Sequence, residues 1–220
     1  MWKRPILFFV IFTVSALTAA AQSTQWKQLF NGKNLIGWKH VGPGTMVVED
    51  GLIKTQGGMG LLYWAGEKVG NCVLRVVFKT QRKNDNSGVF IRIPIEPREE
   101  WMPVHYGYEV QIYEAGDDYH RTGALYSLTQ ALARSAKPLG EWNSMEITLD
   151  GPRTIVVLNG VKVTDYIEGQ AVPERKSNSE PQRGPRPLRG YFGLQNHPRE
   201  DKQDSQVHFK EVAVKPLPKQ

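Results

Sequence analysis

The chain has 220 residues, of which 40% are hydrophobic and 23% are charged, and its formal net charge is +6. A basic balance can favour anionic partners, but the base-stacking and groove-reading motifs of nucleic-acid-binding proteins are missing. We therefore interpret the charge as a contribution to solubility and expect no nucleic acid among its partners. Cys72 is the only cysteine, which excludes an intramolecular disulfide, and its strand-like surroundings favour a buried apolar thiol over a nucleophile.

The first 21 residues have the pattern of a secretory signal peptide. Lys3 and Arg4 form a charged n-region, residues 5–17 form an apolar run, and residues 19–21 fit an A-x-A cleavage site. The run is too short for a comfortable membrane span, and no second apolar segment follows it. We therefore expect a single soluble domain at residues 22–220, secreted or periplasmic and without integral membrane association.

Turn signals recur along the rest of the chain and separate Val- and Ile-rich runs of strand length, a pattern typical of an all-β sandwich or barrel. Asp50-Gly51 and Asn159-Gly160 suit type I′ turns and predict two hairpins. Residues 130–135 could form one or two helical turns, and residues 173–188 predict a long excursion, either a flexible decoration or a lid. The predicted strands are residues 46–49, 52–55, 72–80, 88–93, 106–113, 143–149, 154–158, 161–164, 190–196 and 207–215.

One predicted strand, GYEVQIYE at residues 107–114, has two chemically different faces. Alternation with a period of two places an apolar row, Tyr108, Val110 and Ile112, on one face. The other face carries a carboxylate, an amide and a phenol, which are groups that hydrogen-bond to hydroxyls. This polar row is either an ordinary wet sheet face or the floor of a polar cleft. Its members are Glu109, Gln111 and Tyr113.

Arg92 lies in the alternating segment GVFIRIP, where the alternation places it on the face opposite the apolar residues Val89, Ile91 and Ile93. A mid-strand arginine needs acceptors, and its planar fork suits either the Glu109 carboxylate or a substrate oxygen. A structural ion pair between neighbouring strands and a substrate clamp both fit the pattern.

Near the C-terminus, Gln195 and His197 occupy alternate positions at the end of a predicted strand. A histidine there can be a general acid, a metal ligand or a hydrogen-bonding group, and the spacing does not choose among them. The chain has no phosphate-binding glycine loop, no CxxC pair, no HExxH and no GxSxG motif. These absences argue against nucleotide-binding, structural-zinc, zincin and hydrolase-elbow proteins.

Seven short segments carry a family pattern. In chain order they are LFNGKNLIGW (29–38), NSGVFIR (86–92), GYEVQIYE (107–114), TGALY (122–126), GEWN (140–143), LNGV (158–161) and GLQNH (193–197). Together they resemble the secreted bacterial 3-keto-disaccharide hydrolase family over nearly all of the mature chain. The resemblance implies a jelly-roll β-sandwich of two antiparallel sheets, of the concanavalin A-like lectin/glucanase type. It also implies an enzyme acting on glycosides oxidised at C3, which an upstream sugar 3-dehydrogenase would supply.

In such a substrate the C3 ketone acidifies the hydrogen on C2, so a base can form an enolate that expels the C1 substituent before water adds. We expect Glu109 to be the base, His197 the acid for the leaving oxygen and Arg92 the cation that holds the enolate oxygen. A divalent metal held by Glu109 and His197 is the alternative to Arg92. The predicted sugar-binding residues are Asn86, Gln111, Tyr126, Gln195 and Trp142, with Trp64 and Trp101 as further candidates for ring stacking.

Two other functions suit the same fold. A non-catalytic carbohydrate-binding module would show the same polar and aromatic face without depending on one ionisable residue. A laminarinase-type glycoside hydrolase would carry a second carboxylate two positions after Glu109, where this chain has Gln111. The chain also departs from the family, which often has Asp-His-Gly where residues 196–198 are Asn-His-Pro. Any role of that acidic group is therefore open, and the variable 173–188 loop predicts no aglycone preference.

Overall fold

The structure is a computed structural model that describes residues 25–199, 201 and 203–218. The predicted signal peptide lies outside the described residues. Within them, thirteen strands and one short helix form. Their bounds are β1 Lys27–Gln28, β2 Trp38–Val41, β3 Thr45–Glu49, β4 Leu52–Gln56, β5 Gly60–Trp64, β6 Cys72–Thr80, β7 Asn86–Ile93, α1 Met102–Tyr106, β8 Tyr108–Tyr113, β9 Asn143–Asp150, β10 Arg153–Leu158, β11 Val161–Ile167, β12 Tyr191–Asn196 and β13 Val207–Pro216.

The strands form two antiparallel sheets. The larger sheet has the order β11-β10-β9-β6-β13-β4-β3, with β1 also paired to β13, and the smaller sheet has the order β2-β5-β12-β7-β8. A single apolar cluster lies between their inner faces, and it takes residues such as Leu74 and Val76 from the larger sheet and Val110 and Leu194 from the smaller one. The predicted all-β sandwich of two antiparallel sheets is therefore confirmed.

Local sequence explains the two predicted hairpins. Asp50 and Gly51 have φ values of 54° and 75°, and Asn159 and Gly160 have φ values of 52° and 83°. Positive φ at both central residues is the geometry that type I′ turns require and that Asn-Gly and Asp-Gly adopt readily. Cys72 is 3% exposed in the core, and burial raises the pKa of its thiol to about 12, as expected for an inert apolar side chain.

Four local features differ from the predictions, and one of them is strand β2, which was not predicted. The helical turns predicted at residues 130–135 are absent, and the backbone N–H groups of Ala131 and Leu132 donate instead to the carbonyls of Asp118 and Val163. The helix that does form, α1, has a proline in its first turn. Strand β5 was not predicted because GLLYW is covered on both faces and so lacks alternation. In the described part of the chain, no helix is long and apolar enough to cross a bilayer.

The outer face of the smaller sheet is divided into an apolar part and a polar part. Helix α1 packs on the apolar part, where Met102 and Val104 contact Leu61, Tyr63 and Phe90 in a second cluster. The helix therefore covers only part of this face, and the remainder carries the polar side chains that form the candidate site.

Candidate active site

A cleft of about 190 Å³ opens on the polar part of the smaller sheet's outer face. It brings together six of the predicted site residues, which come from strands β7, β8 and β12 and from the segments that follow β8 and β12. The lining residues are Met59, Asn86, Trp101, Val104, Glu109, Gln111, Tyr126, Ser179, Gln195 and His197.

Strand register explains why these side chains converge. Gly88 on β7 pairs with Gln111 on β8. Leu194 pairs with Val89 and His197 bridges to Asn86, so Gln195 lies opposite Gly88 on its other side. Gln195, Gly88 and Gln111 thus form one row across three neighbouring strands, with a side-chain amide at each end and a glycine in the middle.

The space above Gly88 is filled by the Glu109 carboxylate. A Cβ atom at Gly88 would lie 2.5 Å from Glu109 Oε1 and 2.7 Å from Glu109 Cγ, closer than non-bonded atoms approach. Glycine is therefore required here for close approach rather than for backbone conformation. The sequence contains this signal in NSGVFIR, but the need for glycine becomes visible only once the strands are paired.

Glu109 is 7% exposed. Burial raises the pKa of its carboxyl from 4.5 to about 8, although a hydrogen bond with the Gln195 side chain acts in the opposite direction. Desolvation dominates because the charged form loses water that one neutral amide cannot replace. The carboxyl group is therefore largely protonated near neutral pH.

Three amide oxygens of the cleft are buried without a hydrogen-bond partner: Asn86 Oδ1, Gln111 Oε1 and Gln195 Oε1. A buried acceptor without a partner costs about 1 to 3 kcal/mol, and such groups in a cleft mark places where a ligand supplies the missing donors. Hydroxyl groups of a sugar are donors of this kind.

His197 reaches the cleft from the end of β12, and its ring is held by a hydrogen bond between Nδ1 and the carbonyl oxygen of Pro198 at 2.5 Å. Since a carbonyl only accepts, Nδ1 carries the proton and Nε2 has a free lone pair in the neutral ring. Burial lowers the pKa of His197 below its usual 6.5, and the bond to Pro198 opposes this effect. A neutral imidazole with a basic Nε2 is the form expected at neutral pH.

Tyr126 enters the cleft because the TGALY segment runs along the free edge of β8. The backbone N–H of Gln111 donates to Ala124 O at 3.0 Å, and the N–H of Tyr126 donates to Glu109 O at 2.9 Å. Burial, and secondarily the nearby Glu109 charge, raises the pKa of Tyr126 to about 12. Its hydroxyl is therefore available as a hydrogen-bond donor at physiological pH.

The 173–188 loop is hydrogen-bonded to neighbouring segments, which argues against a flexible decoration, and it contributes Ser179 to the lining of the cleft. Arg186 is 8% exposed, and its guanidinium donates to the carbonyls of Gly107 at 3.0 Å and His105 at 3.1 Å. Arg183 donates to Pro173 O at 2.8 Å within the loop and to Ser127 O at 3.3 Å outside it. These bonds position Ser179 at the rim of the cleft.

Arg92 lies outside the cleft, so its predicted position on the polar face is wrong. Its φ of 55° coincides with an irregularity in the pairing of β7 with β12, which interrupts the alternation. The side chain, 1% exposed, instead crosses to the other sheet and donates to Gly151 O at 2.7 Å and Arg153 O at 3.4 Å. Arg92 is thus a structural tie and cannot hold an enolate oxygen in this cleft.

Of the three candidate tryptophans, one lines the cleft and two lie outside it. Trp142 does not line the cleft, because its ring lies under the ammonium groups of Lys79 and Lys210 on the larger sheet. Trp64 packs edge-on against Trp38 at 5.5 Å and also lies outside the cleft. Trp101 does line it and is 39% exposed. Sequence reasoning could not rank these three, and it gave no signal for Ser179.

Within the described residues, no group of three or more His, Cys, Asp or Glu side chains could hold a metal ion. Glu109 and His197 are the cleft residues that could contribute, together with the unpartnered amide oxygens. Oxygen-rich sets of this type suit hard cations such as Ca²⁺, which takes six to eight oxygen ligands. The sequence-based alternative of a metal held by Glu109 and His197 therefore stays a prediction.

Comparison with known proteins places this cleft in a family. Residues 25–215 match the model of the 3-keto-alpha-glucoside-1,2-lyase-like domain. The chain belongs to this family. A search of curated proteins found no match to the chain.

Solved structures agree with the family assignment. A candidate glycosyl hydrolase from Parabacteroides distasonis is 25% identical with a TM-score of 0.68, and the match covers 88% of this chain and 94% of that one. At 13% identity, the carbohydrate-binding module CBM66 from Bacillus subtilis has a TM-score of 0.54 over 81% of this chain and 95% of its own. The lumenal domain of VIP36, solved with Ca²⁺ and Man3GlcNAc, is 11% identical with a TM-score of 0.55 over 91% of both chains. The last two show the concanavalin A-like lectin fold alone, whereas the family and the first indicate a carbohydrate-active protein.

One departure from the family pattern is explained by the structure. Asn196, which stands where the 3-keto-glucoside lyase-like family often has Asp, is 1% exposed and lies behind the sheet. Its Nδ2 donates to Thr45 O at 2.9 Å and to Gln56 O, and a carboxylate could make neither bond. In this chain the residue therefore ties β12 to the β3–β4 hairpin and lies outside the cleft lining.

Proposed function

We propose that this protein cleaves 3-keto-glycosides by removing the C2 proton, eliminating the C1 substituent and adding water. The observation that carries the proposal is that Glu109 and His197 line one cleft that also contains three buried amide oxygens without a hydrogen-bond partner. The cleft's volume of about 190 Å³ is below the roughly 300 to 1,000 Å³ of pockets that enclose drug-sized ligands. It therefore suits one sugar ring, with the C1 substituent outside.

The pKa directions favour the opposite roles from those predicted for Glu109 and His197. Neutral His197, with its Nε2 lone pair, is suited to take the proton from C2. The lone pair forms the new N–H bond, and the electrons of the broken C2–H bond form the enolate. As the C1–O bond breaks, the departing oxygen takes that bond's electrons and receives the proton of the neutral Glu109 carboxyl. Water then adds to the unsaturated ketone, and the net reaction is hydrolysis.

Stabilisation of the enolate oxygen needs a new candidate because Arg92 is elsewhere. The Tyr126 hydroxyl lines the same cleft and is held in its protonated form, so it is the hydrogen-bond donor that we assign to the enolate oxygen. Fixed donors directed at developing negative charge are a common catalytic device. A divalent ion at Glu109 and His197 would supply the same stabilisation as a Lewis acid, and chelation distinguishes the two arrangements.

A non-catalytic carbohydrate-binding module is the second candidate function, and the fold similarity to CBM66 favours it. A laminarinase-type glycoside hydrolase has less support because Gln111 stands at the position of its second carboxylate. We further propose that the protein acts after secretion, in the periplasm or outside the cell, on substrates that a sugar 3-dehydrogenase has oxidised.

Product analysis tests these proposals. Methyl 3-keto-glucoside and its unoxidised parent are incubated with the protein, with and without a chelator, and with the Glu109→Gln, His197→Ala and Glu146→Gln variants. Glu146 is the matched control because it is a carboxylate 42% exposed on the larger sheet. We expect cleavage of the keto sugar only, lost in the first two variants and retained in the third. Saturable sugar binding without cleavage of either compound would establish the binding module instead.

A further inference from the structure

We propose that Trp101 and Ser179 form a second subsite, which binds the leaving group and selects a second sugar ring or an aromatic aglycone. The inference rests on the proposed function, because it assigns the rim of the cleft to the part of the substrate that the reaction expels. The floor of the cleft is polar, whereas Trp101 presents a large indole at the rim with 39% of its surface exposed. Aromatic rings bind the apolar faces of sugars and aryl groups in this way.

Trp101 is held in place before any ligand binds. Its ring stacks on that of His105, with centroids 6.5 Å apart and an interplanar angle of 26°. His105 is in turn fixed to the 173–188 loop, since its Nε2 lies 3.0 Å from Asn178 O and its carbonyl accepts the Gln182 N–H at 3.0 Å. A platform fixed in this way loses little conformational entropy on binding.

The other side of the subsite is equally rigid. Arg175 donates to Asn178 O at 2.7 Å and to Glu180 O at 3.1 Å, which encloses the turn that carries Ser179. The hydroxyls of Ser177 and Ser179 lie 2.8 Å apart, so the pair can accept from and donate to a ligand hydroxyl. An apolar platform and a hydroxyl pair are the features expected of a site for an additional sugar.

The chemistry places the leaving group at this rim. Glu109, Gln195 and the unpartnered amides occupy the floor, and a cleft of about 190 Å³ holds the ring that carries C2 and C3. The C1 substituent then extends outward, toward the two lining residues that are exposed, Trp101 just before α1 and Ser179 on the loop.

Binding and turnover with small and large leaving groups test the subsite. Affinity is measured for methyl glucoside and for a diglucose, and kcat/KM for their 3-keto forms, in the wild type and in Trp101→Ala, Ser179→Ala and Trp142→Ala. Trp142 is the matched control because its indole lies on the larger sheet between two lysines. We expect Trp101→Ala to lose about tenfold in affinity and kcat/KM for the two-ring ligands, with less than about twofold change for the methyl compounds. Ser179→Ala is expected to show a smaller loss in the same direction, and Trp142→Ala no change.

Equal losses of affinity for the one-ring and two-ring ligands in Trp101→Ala would place the indole over the first sugar and overturn the subsite. The subsite would also be overturned if Trp101→Ala lost no affinity, or if the wild type did not bind diglucose. The affinity measurements use unoxidised sugars and need no turnover. If Trp101→Ala loses affinity only for the two-ring sugar and no 3-keto compound is cleaved, the proposed reaction is therefore refuted while the subsite is supported.

Discussion

Replacing Glu109 with glutamine is expected to abolish turnover and, at the same time, to stabilise the fold. The carboxyl is 7% exposed, and burial raises its pKa from 4.5 to about 8. The folded protein therefore holds a proton that the unfolded chain releases, so the free energy of unfolding falls as pH rises from about 4.5 toward 8. Glutamine has nearly the same shape and carries no proton to release.

The magnitude follows from the two pKa values. Neutral pH lies about 2.5 pH units above the unperturbed pKa of 4.5, and each unit corresponds to about 1.4 kcal/mol. Near pH 7, Glu109 therefore lowers the free energy of unfolding by on the order of 3 kcal/mol relative to a side chain that stays neutral. Near pH 5 the cost is below about 1 kcal/mol. Glu109→Gln should therefore exceed the wild type in unfolding free energy by on the order of 3 kcal/mol at neutral pH and by much less in mild acid.

Urea unfolding and thermal melting at about pH 5 and pH 7 measure this difference, which corresponds to roughly 6 to 12 °C in Tm at neutral pH. Glu146→Gln is the control, since it makes the same chemical change at an exposed position on the larger sheet. The reasoning is refuted if wild type and Glu109→Gln show parallel pH profiles, or if the variant is the less stable protein near pH 7.

Three further outcomes are expected. The pH profile of kcat/KM for a 3-keto-glucoside should be bell-shaped, rising as His197 loses its proton below pH 6.5 and falling as Glu109 loses its proton near pH 8. A value of kcat/KM that keeps rising through pH 8 would instead indicate that Glu109 is the base. Gly88→Ala should fold with a loss of about 1 to 2 kcal/mol but lower kcat strongly, because its Cβ would lie 2.5 Å from Glu109 Oε1; circular dichroism and kinetics check this, and full activity contradicts the role of the glycine. Arg92→Met should lower the free energy of unfolding by roughly 2 kcal/mol, since the carbonyls of Pro187, Gly151 and Arg153 lose a buried donor, yet leave kcat per folded molecule within about twofold. A large kcat loss in the folded protein would return Arg92 to the cleft.

The sequence predicted most of the strands, though not β2 or β5, and most of the cleft, because alternation is a local property. Glu109 and Gln111 were found from their own strand, and Gln195 and His197 from theirs. Arg92 was misplaced because its left-handed backbone depends on how β7 and β12 pair, and no local pattern shows that pairing. The proton roles of Glu109 and His197 were assigned by residue type, whereas burial by the whole fold sets their pKa values.

The conformation of the 173–188 loop could not be predicted from the sequence for a similar reason. Its composition of Pro, Arg and polar residues is typical of a flexible segment, yet Arg183 and Arg186 fold inward and bond to backbone carbonyls. Whether an arginine side chain turns toward solvent or into such carbonyls depends on distant segments. Trp101 could be chosen over Trp64 and Trp142 only once the sheets were in place.

The way in which this loop is anchored has a consequence for how the protein can diversify. Apart from the ion pair between Arg183 and the buried Glu180 carboxylate, the contacts of its arginines described above are with main-chain oxygens, which every amino acid provides. The anchor therefore does not depend on the side chains of residues 176–179. Residues 176–179 could therefore be exchanged as a cassette without rebuilding the framework beneath them. Grafting alternative tips between the two arginines offers a direct route to proteins that share one catalytic floor and accept different leaving groups.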